Sequence, residues 1–406
     1  MALLVTKFGG TSVASLERIK NVALRLKDMK EKGNDVVAVV SAMGDTTDEL
    51  IDLAKLTGDN LAPREMDMLL STGEQQSAAL LALTLQNMNC DAISLTGWQA
   101  GIKSDDKHSK AKISEINTER LRAELAKGRI VIVAGFQGIS PCGDITTLGR
   151  GGSDTTAVAI AAALKADRCL IFTDVDGVYT ADPRIVPEAR KLSQISYEEM
   201  LEMASLGAGV LQSRSVEFAM LYGVDVEVLS SFNFNPGTLV TEVKNMEKQR
   251  VVCGVADDRN CARFALFDVP DVPGIAMKIF KALAKENINV DMVIQSAMRD
   301  NRNDIAFTIE RDDLKRAVPV VQKVVKEISA SGFSYADDVA KVSIVGAGMQ
   351  TNPGVAADMF EALAEENINI HMISTSEIKV SCVIDEKELE KAVRVLHKKF
   401  ELDKIE

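Results

Sequence analysis

Aromatic side chains are scarce in this 406-residue chain, which has one Trp, four Tyr and thirteen Phe, so aliphatic residues must fill most of any core. Histidine is scarcer still. His108, His371 and His397 show no metal-ligand spacing, which argues against a structural zinc site. The six cysteines, at 90, 142, 169, 253, 261 and 382, never form a C-x-x-C pair and read as reduced, mostly buried thiols. No window approaches the roughly 20 apolar residues of a membrane helix. Residues 1–7 are too short an apolar stretch for a signal peptide, so a soluble cytoplasmic protein is expected. Positive charge is in deficit: 47 Lys and Arg against 59 Asp and Glu leave a net −12. That balance argues against nucleic acid or an anionic membrane surface as the main partner.

What is present is an ordinary globular composition, 46% hydrophobic and 26% charged, which excludes wholesale disorder. At about 150 residues per domain the length predicts two or three domains. Apolar, β-branched runs at 3–8, 36–40, 130–134, 169–173 and 224–229 alternate with helical patterns at 16–32, 64–86 and 155–165. Strands this uniformly apolar are expected where helices cover both faces, and the alternation predicts an α/β layered domain with a largely parallel sheet. A turn signal at 233–237 and a charged stretch at 242–250 then read as a boundary and linker.

Beyond the linker the chain repeats itself. Residues 273–296 align without gaps onto 353–376, with 13 of 24 positions identical. Strand-like runs at 263–269 and 341–345 precede the copies, and runs at 305–309 and 379–384 follow them. Second helical patterns come at 313–328 and 386–399. The unit reads as β-α-β-β-α-β, a ferredoxin-like module present twice and set side by side. In each copy an Asn-Ile-Asn run leads into a strand expected at a sheet edge, which a symmetric partner would cover.

Four loops carry the candidate chemistry. Lys7-Phe8-Gly9-Gly10-Thr11-Ser12 follows the first strand; paired glycines let backbone approach a phosphate, and a lysine there can meet its charge. It is neither a P-loop nor a Rossmann fingerprint, and a tight turn with an exposed lysine explains it equally well. In residues 146–156, three glycines frame Arg150, which suits fork-like recognition of carboxylate or phosphate, and Ser153-Asp154-Thr155-Thr156 suits a helix N-cap. Residues 41–48 form a small, polar, flexible cluster after the second strand, and 173–184 form a polar loop after the 169–173 strand. Ligands gather at such carboxyl ends of strands, so the four loops describe one composite site. Glu74, in Ser71-Thr72-Gly73-Glu74, begins a helix on this reading, either as a first-turn residue favoured by the dipole or as a substrate ligand.

KFGGTS at 7–12, STGE at 71–74, TTLGRGGSDTTA at 146–157 and TDVDGVYTADPR at 173–184 together resemble the aspartokinases of the amino acid kinase family, and the doubled module resembles their tandem ACT domains. The resemblance covers essentially the whole chain. It implies an amino acid kinase-type layered α/β domain with a largely parallel sheet at 1–243 and two ferredoxin-like ACT modules at 263–337 and 338–406. Residues 244–262 would be a linker plus a strand near 250–255 that joins the second module, making the first an insertion. The activity implied is transfer of the ATP γ-phosphate to the β-carboxylate of L-aspartate, the first step toward lysine, threonine and methionine, with feedback inhibition by lysine and/or threonine. Another amino-acid kinase of this fold, or a catalytically silent amino-acid sensor, is the alternative.

Carried over residue by residue, the resemblance implies that Lys7, Asp154 and Arg150 are catalytic. Lys7, Phe8, Gly9, Gly10, Ser41, Thr173, Asp174, Tyr179, Asp182, Pro183 and Arg184 would bind ATP, whose phosphates would hold Mg²⁺. Thr47, Glu74, Arg150, Gly151, Gly152 and Ser153 would bind aspartate, with Glu74 meeting the α-ammonium and Asp154 orienting Lys7. Amino-acid effectors would bind at Asp271, Gly274, Ala276, Asn289, Asp291 and Gln295, and at Val355, Ala356, Asn369, Ile370 and Ser376. No protein metal ligand is implied, and at least a dimer joined through the modules is. One departure stands out: where the family usually has a lysine, the run at 207–211 has Gly209.

Overall fold

The computed structural model describes residues 2–207, 209–243, 251–297 and 300–404, without the side chain of Gln350. Most of the expected linker (244–250) and Ala208 of the 207–211 run lie outside the described residues.

The N-terminal domain begins with β1 (Leu3–Phe8), α1 (Leu16–Glu31), β2 (Asp35–Val40), α2 (Thr46–Lys55), α3 (Pro63–Asn87) and β3 (Ala92–Leu95). It continues through β4 (Ile102–Ser104), β5 (Ile113–Ile116), α4 (Glu119–Leu125), β6 (Ile130–Ala134), β7 (Gln137–Ile139) and β8 (Ile145–Thr147). It ends with α5 (Gly152–Leu164), β9 (Arg168–Thr173), β10 (Gln194–Ser196), α6 (Tyr197–Ser205), α7 (Ser213–Tyr222), β11 (Val226–Ser230) and β12 (Thr238–Thr241). Eight of these strands form one sheet in the order β10-β12-β11-β9-β1-β2-β6-β3, every pairing parallel except β11 with β12. β2 shows why its sequence is apolar throughout. Val36, Ala38 and Val40 face the core under α1 and α3, whereas Val37 and Val39 face the core under α4 to α7. Alternate residues of a strand point to opposite faces, and both faces here are dry.

The crossovers bring the carboxyl ends of β9, β1, β2 and β6 side by side, and the expected loops after β1, β2 and β9 therefore converge. The fourth loop departs from expectation. It follows β8, which belongs to a separate four-stranded sheet of order β5-β4-β7-β8, and it reaches the cleft through the start of α5.

The C-terminal part comprises β13 (Gly254–Pro270), α8 (Ile275–Lys285), β14 (Val293–Gln295), β15 (Arg302–Ile309), α9 (Leu314–Glu327), β16 (Gly332–Val345), α10 (Val355–Glu365), β17 (Met372–Thr375), β18 (Lys379–Asp385) and α11 (Leu389–Lys399). Its six strands make one sheet ordered β14-β15-β13-β16-β18-β17. β13 and β16 are shared. The second half of β13 and the first half of β16 pair within the first module, while residues 254–258 pair with 341–345 in the second. Two complete β-α-β-β-α-β units in succession are thus not what forms. Among the described residues no strand follows α11, and the second module takes its fourth strand from the start of β13, upstream of the first module. β14 and β17, the strands that follow the Asn-Ile-Asn runs, are the two edges of this sheet.

Candidate active site

The cleft is built where β1 ends. Lys7 is the penultimate residue of β1, and its Nζ lies 2.6 Å from Asp154 Oδ1 in the first turn of α5. Both side chains are largely removed from water, so the pair holds the ammonium in place in a low-dielectric pocket. Gly9 is what leaves room for it, since a Cβ there would sit 3.3 Å from Lys7 Nζ. Gly10 is packed as closely against the turn after β2: its Cβ would meet the Ala42 carbonyl at 3.0 Å, and its own carbonyl accepts from Gly44 N–H at 3.1 Å. Ser41 N–H donates to the Phe8 carbonyl at 3.1 Å, locking the β1 and β2 turns together, and Phe8 stacks on Phe172 of β9 with centroids 4.8 Å apart.

Glu74 does not begin a helix. α3 starts at Pro63, so Glu74 lies in its interior and the macrodipole does not account for it. Its side chain is buried; Oε1 accepts from Ala42 N–H at 3.2 Å, while Oε2 has no partner. Desolvation, partly offset by backbone hydrogen bonds, pushes its pKa up to about 7. Gly73 permits this approach, because a Cβ there would stand 2.9 Å from Ala42 Cβ. Thr47 is half-buried in the first turn of α2, which begins at Thr46, so the 41–48 cluster is half loop and half helix rather than a flexible loop throughout.

The Gly149–Gly151 segment also differs from expectation. Gly151, left-handed at φ 68°, is the N-cap residue of α5, and Gly152, Ser153 and Asp154 lie inside the first turn, so the Ser-Asp-Thr-Thr run is not the cap. Buried Ser153 packs against Gly135 after β6, whose Cβ would be 2.9 Å away. Arg150 is exposed between glycines and makes no hydrogen bond or ion pair with another described residue. What fixes its loop is Asp67, a residue that the motifs do not mark. Fully buried in α3, Asp67 accepts from Thr147 Oγ1 at 2.6 Å and from Ser109 N–H at 3.0 Å, and it lies 2.8 Å from His108 Nδ1. Asp67 precedes Glu74 by two helical turns on the same face, the one signal by which it could have been found.

On the other side of β1, residues 173–175, 177–179 and 181–184 line a cavity of about 430 Å³. Thr173 donates to Asp174 at 3.1 Å, the Tyr179 hydroxyl donates to Asp176 at 2.7 Å, and Lys191 Nζ lies 3.2 Å from Asp176. Burial first and Asp176 second push the Tyr179 pKa up to about 12. Arg184 grips Asp182 through Nε and a terminal nitrogen, which holds that carboxyl below its usual range. Pro183, Gly207 and Gly209 complete this wall. The opposite wall, unforeseen in the sequence, is Val255, Ala256 and Asp257 of β13.

The effector candidates form two groups. Asp271, Gly274, Ala276, Asn289, Asp291 and Gln295 are exposed around the start of α8 and β14. Asn369 and Ser376 are exposed near β17, Ala356 and Ile370 are half-buried, and Val355 is buried in the second module's core, offering backbone rather than side chain. These groups lie at opposite edges of the sheet, so one chain does not bring them together. The Asp291 carboxylate is engaged by Lys341, a buried lysine of β16 that also lies 3.5 Å from Asp258.

A profile of the amino acid kinase family matches residues 2–230, and an ACT domain profile matches 268–325 and 342–400. An aspartate kinase of Pseudomonas putida is 54% identical over 405 residues, spanning 99% of this chain and 98% of that one. Aspartokinase 2 of Bacillus subtilis is 52% identical over 404 residues, spanning 100% and 99%. Among solved structures, R-state E. coli aspartokinase III in complex with aspartate and ADP superposes with a TM-score of 0.84 at 26% identity, covering 98% of this chain and 99% of that one. The T-state complex of that enzyme with lysine and aspartate gives 0.77 at 27% identity, with the same coverage.

Proposed function

Since this chain belongs to the amino acid kinase family, and aspartate kinases match it from end to end, we infer that its cleft transfers the γ-phosphate of ATP to the β-carboxylate of L-aspartate, giving 4-phospho-L-aspartate and ADP. The observation that carries this reading onto particular residues is the Lys7–Asp154 pair above Gly9, a fixed ammonium at the carboxyl ends of the central strands. Phosphoryl transfer needs positioning and charge stabilisation more than covalent chemistry from the protein. The β-carboxylate is ionised at neutral pH, so no general base is required. Lys7 neutralises charge on the transferring group, and Asp154 keeps its ammonium aimed. Phe8, Gly9, Gly10 and Ser41 bring backbone toward the phosphates, while Thr173, Asp174, Tyr179, Asp182, Pro183 and Arg184 surround the nucleotide.

On the acceptor side, Arg150 grips the substrate's carboxylate with its planar fork. Glu74 meets the α-ammonium, the one kind of partner that would make its buried, half-satisfied carboxylate favourable. Thr47, Gly151, Gly152 and Ser153 close around the same substrate. Magnesium would enter on the triphosphate and supply charge neutralisation there. The carboxylates lining the cavity, Asp174 foremost, fit a cation carried in by polyphosphate.

Lysine and/or threonine, as end products, would inhibit through the ACT modules. Lysine occupies a solved T-state complex of the E. coli enzyme, and the present chain agrees better with the R-state form. Because the two effector groups sit at opposite sheet edges, a site joining them needs a second copy of the chain, and a dimer through the modules supplies it. The test is coupled ADP release by the full chain with ATP and aspartate, repeated with lysine, threonine and both. Aspartate-dependent ADP release, curbed by an effector, is the expected result. ADP release that depends on another amino acid instead of aspartate would assign the fold's chemistry to a different acceptor.

A further inference from the structure

The cavity read above as the nucleotide site has a wall that the N-terminal domain does not supply. Val255, Ala256 and Asp257 face it from β13, the strand shared by both ACT modules. This wall is firmly attached. Val255 N–H donates to the Thr180 carbonyl at 2.8 Å, and the Asp257 carbonyl packs so close to Gly207 that a Cβ there would be 2.4 Å away. Of the three carboxylates lining the cavity, Asp174 accepts from Thr173 and Asp182 is paired with Arg184. Asp257 alone has no side-chain hydrogen bond or ion pair to another described residue. Half-buried, it is pushed above the usual carboxylate range by desolvation first and by the Asp182 charge second. With no protein donor on it and part of its surface open to the cavity, its carboxylate is free to accept from a donor on a bound ligand.

Position decides which donor. Thr173 and Asp174 stand at the end of β9, next to the β1 turn where the phosphates belong, and β13 lines the other side of the cavity. Phosphates would be repelled by Asp257, whereas sugar hydroxyls and a base amine are hydrogen-bond donors. Resting on the nucleotide reading of this cavity, we propose that Asp257, carried by the regulatory sheet, accepts a hydrogen bond from the nucleoside half of the bound nucleotide. The donor is a ribose hydroxyl or the exocyclic amine of adenine. The regulatory sheet is then part of the nucleotide site itself, and any shift of β13 alters nucleotide affinity directly.

Calorimetric titration of the full chain with magnesium-ADP, 2′-deoxy-ADP, 3′-deoxy-ADP and purine riboside diphosphate tests this, because each analogue lacks one donor. The full chain should bind one analogue about tenfold more weakly than ADP, the usual scale for a hydrogen bond to a charged group. Asp257→Ala should bind ADP about tenfold more weakly and no longer distinguish ADP from that analogue. Asp257→Asn, which keeps the shape and one acceptor oxygen, should fall between and guards against misfolding of the alanine variant. Loss of preference for a deoxy analogue assigns the sugar, and loss for the purine analogue assigns the amine. Equal ADP affinity in the full chain and Asp257→Ala, or discrimination that survives in Asp257→Ala, overturns the proposal while leaving the nucleotide site standing. A full chain that binds no magnesium-ADP overturns the nucleotide reading and this proposal with it.

Discussion

The two halves of the proposed cleft are built differently. The acceptor half, around Thr47, Glu74 and Arg150, belongs wholly to the N-terminal domain, and buried Asp67 ties its loops to α3. The nucleotide half is shared. Ala181, Ile185 and Val186 are part of the second module's core, Thr180 Oγ1 lies 2.9 Å from His397 Nε2 of α11, and Arg394 of α11 donates to the Ile185 carbonyl at 2.9 Å. The first module, by contrast, closes a core made only of its own residues. Two copies that agree at 13 of 24 positions have thus been put to different mechanical uses. A movement of the second module reaches the nucleotide half at once and the acceptor half only through intervening structure. Effectors should accordingly weaken ATP binding more than aspartate binding.

The largest effect is expected at the seam between the halves. Lys7→Ala removes a preorganised charge from the transferring group and should lower kcat by about 10²–10³. Steady-state kinetics, with circular dichroism to establish folding, measures it. A folded Lys7→Ala enzyme with near-normal turnover would remove Lys7 from the chemistry. Arg150→Lys probes the acceptor half alone. An ammonium cannot reproduce a bidentate fork, so the aspartate KM should rise about ten- to thirtyfold with little change in the ATP KM. The opposite split would place Arg150 on the nucleotide side and erase the comparison.

Much of this architecture is legible in the sequence because it obeys short-range rules. Strands covered on both faces are apolar throughout, as in β2, and glycine-rich turns mark where backbone must come close, as at Gly9, Gly10 and Gly151. What escapes is long-range. The helical pattern from 64 matches α3, but Ser71-Thr72-Gly73-Glu74 inside it resembles a second helix start, and only the packed structure shows that Gly73 is there to clear Ala42. β13 runs unbroken over 17 residues although Asp257-Asp258-Arg259-Asn260 interrupts its apolar pattern. Those polar residues lie where the strand passes from one module to the other, with Asp258 beside Lys341 and Asp257 facing the cavity. Ala181, Ile185 and Val186 look like incidental apolar residues in a polar loop until the second module is packed on them.

Glu74 offers a third, smaller test, through pH. Burial raises its pKa from 4.5 to about 7, so in the free chain it is protonated below that value and charged above it. Only the carboxylate attracts an ammonium. The aspartate KM should therefore fall by about tenfold in all as pH rises from 6 to 8, most of it below 7. Glu74→Gln should flatten that dependence, and the ATP KM should follow neither change. Stability runs the other way. Between 4.5 and 7 the folded chain binds more protons than the unfolded chain, so the ligand-free protein should lose stability as pH rises through this window. Denaturant midpoints that rise across it would contradict the burial of an uncompensated carboxylate.

The smallest effect is expected where the second module clasps the N-terminal domain. Lys379 of β18 pairs with Glu202 of α6 at 2.8 Å, each side chain about a fifth exposed. A partly exposed ion pair contributes at most about 1 kcal/mol, so Lys379→Ala should barely move the melting temperature. The same energy has more leverage on an equilibrium between module arrangements, because 1 kcal/mol shifts a population ratio about fivefold. The arrangement described here superposes better on the R-state enzyme than on the lysine-bound T-state, and this pair belongs to it. Its loss should therefore favour the inhibited arrangement and lower the effector concentration for half-inhibition by up to about fivefold. Glu202→Ala should do the same, and the double variant should add little, since the two residues act as one contact. Inhibition that becomes weaker in Lys379→Ala would mean that this clasp supports the inhibited state instead, and that the second module communicates with the nucleotide half by another contact.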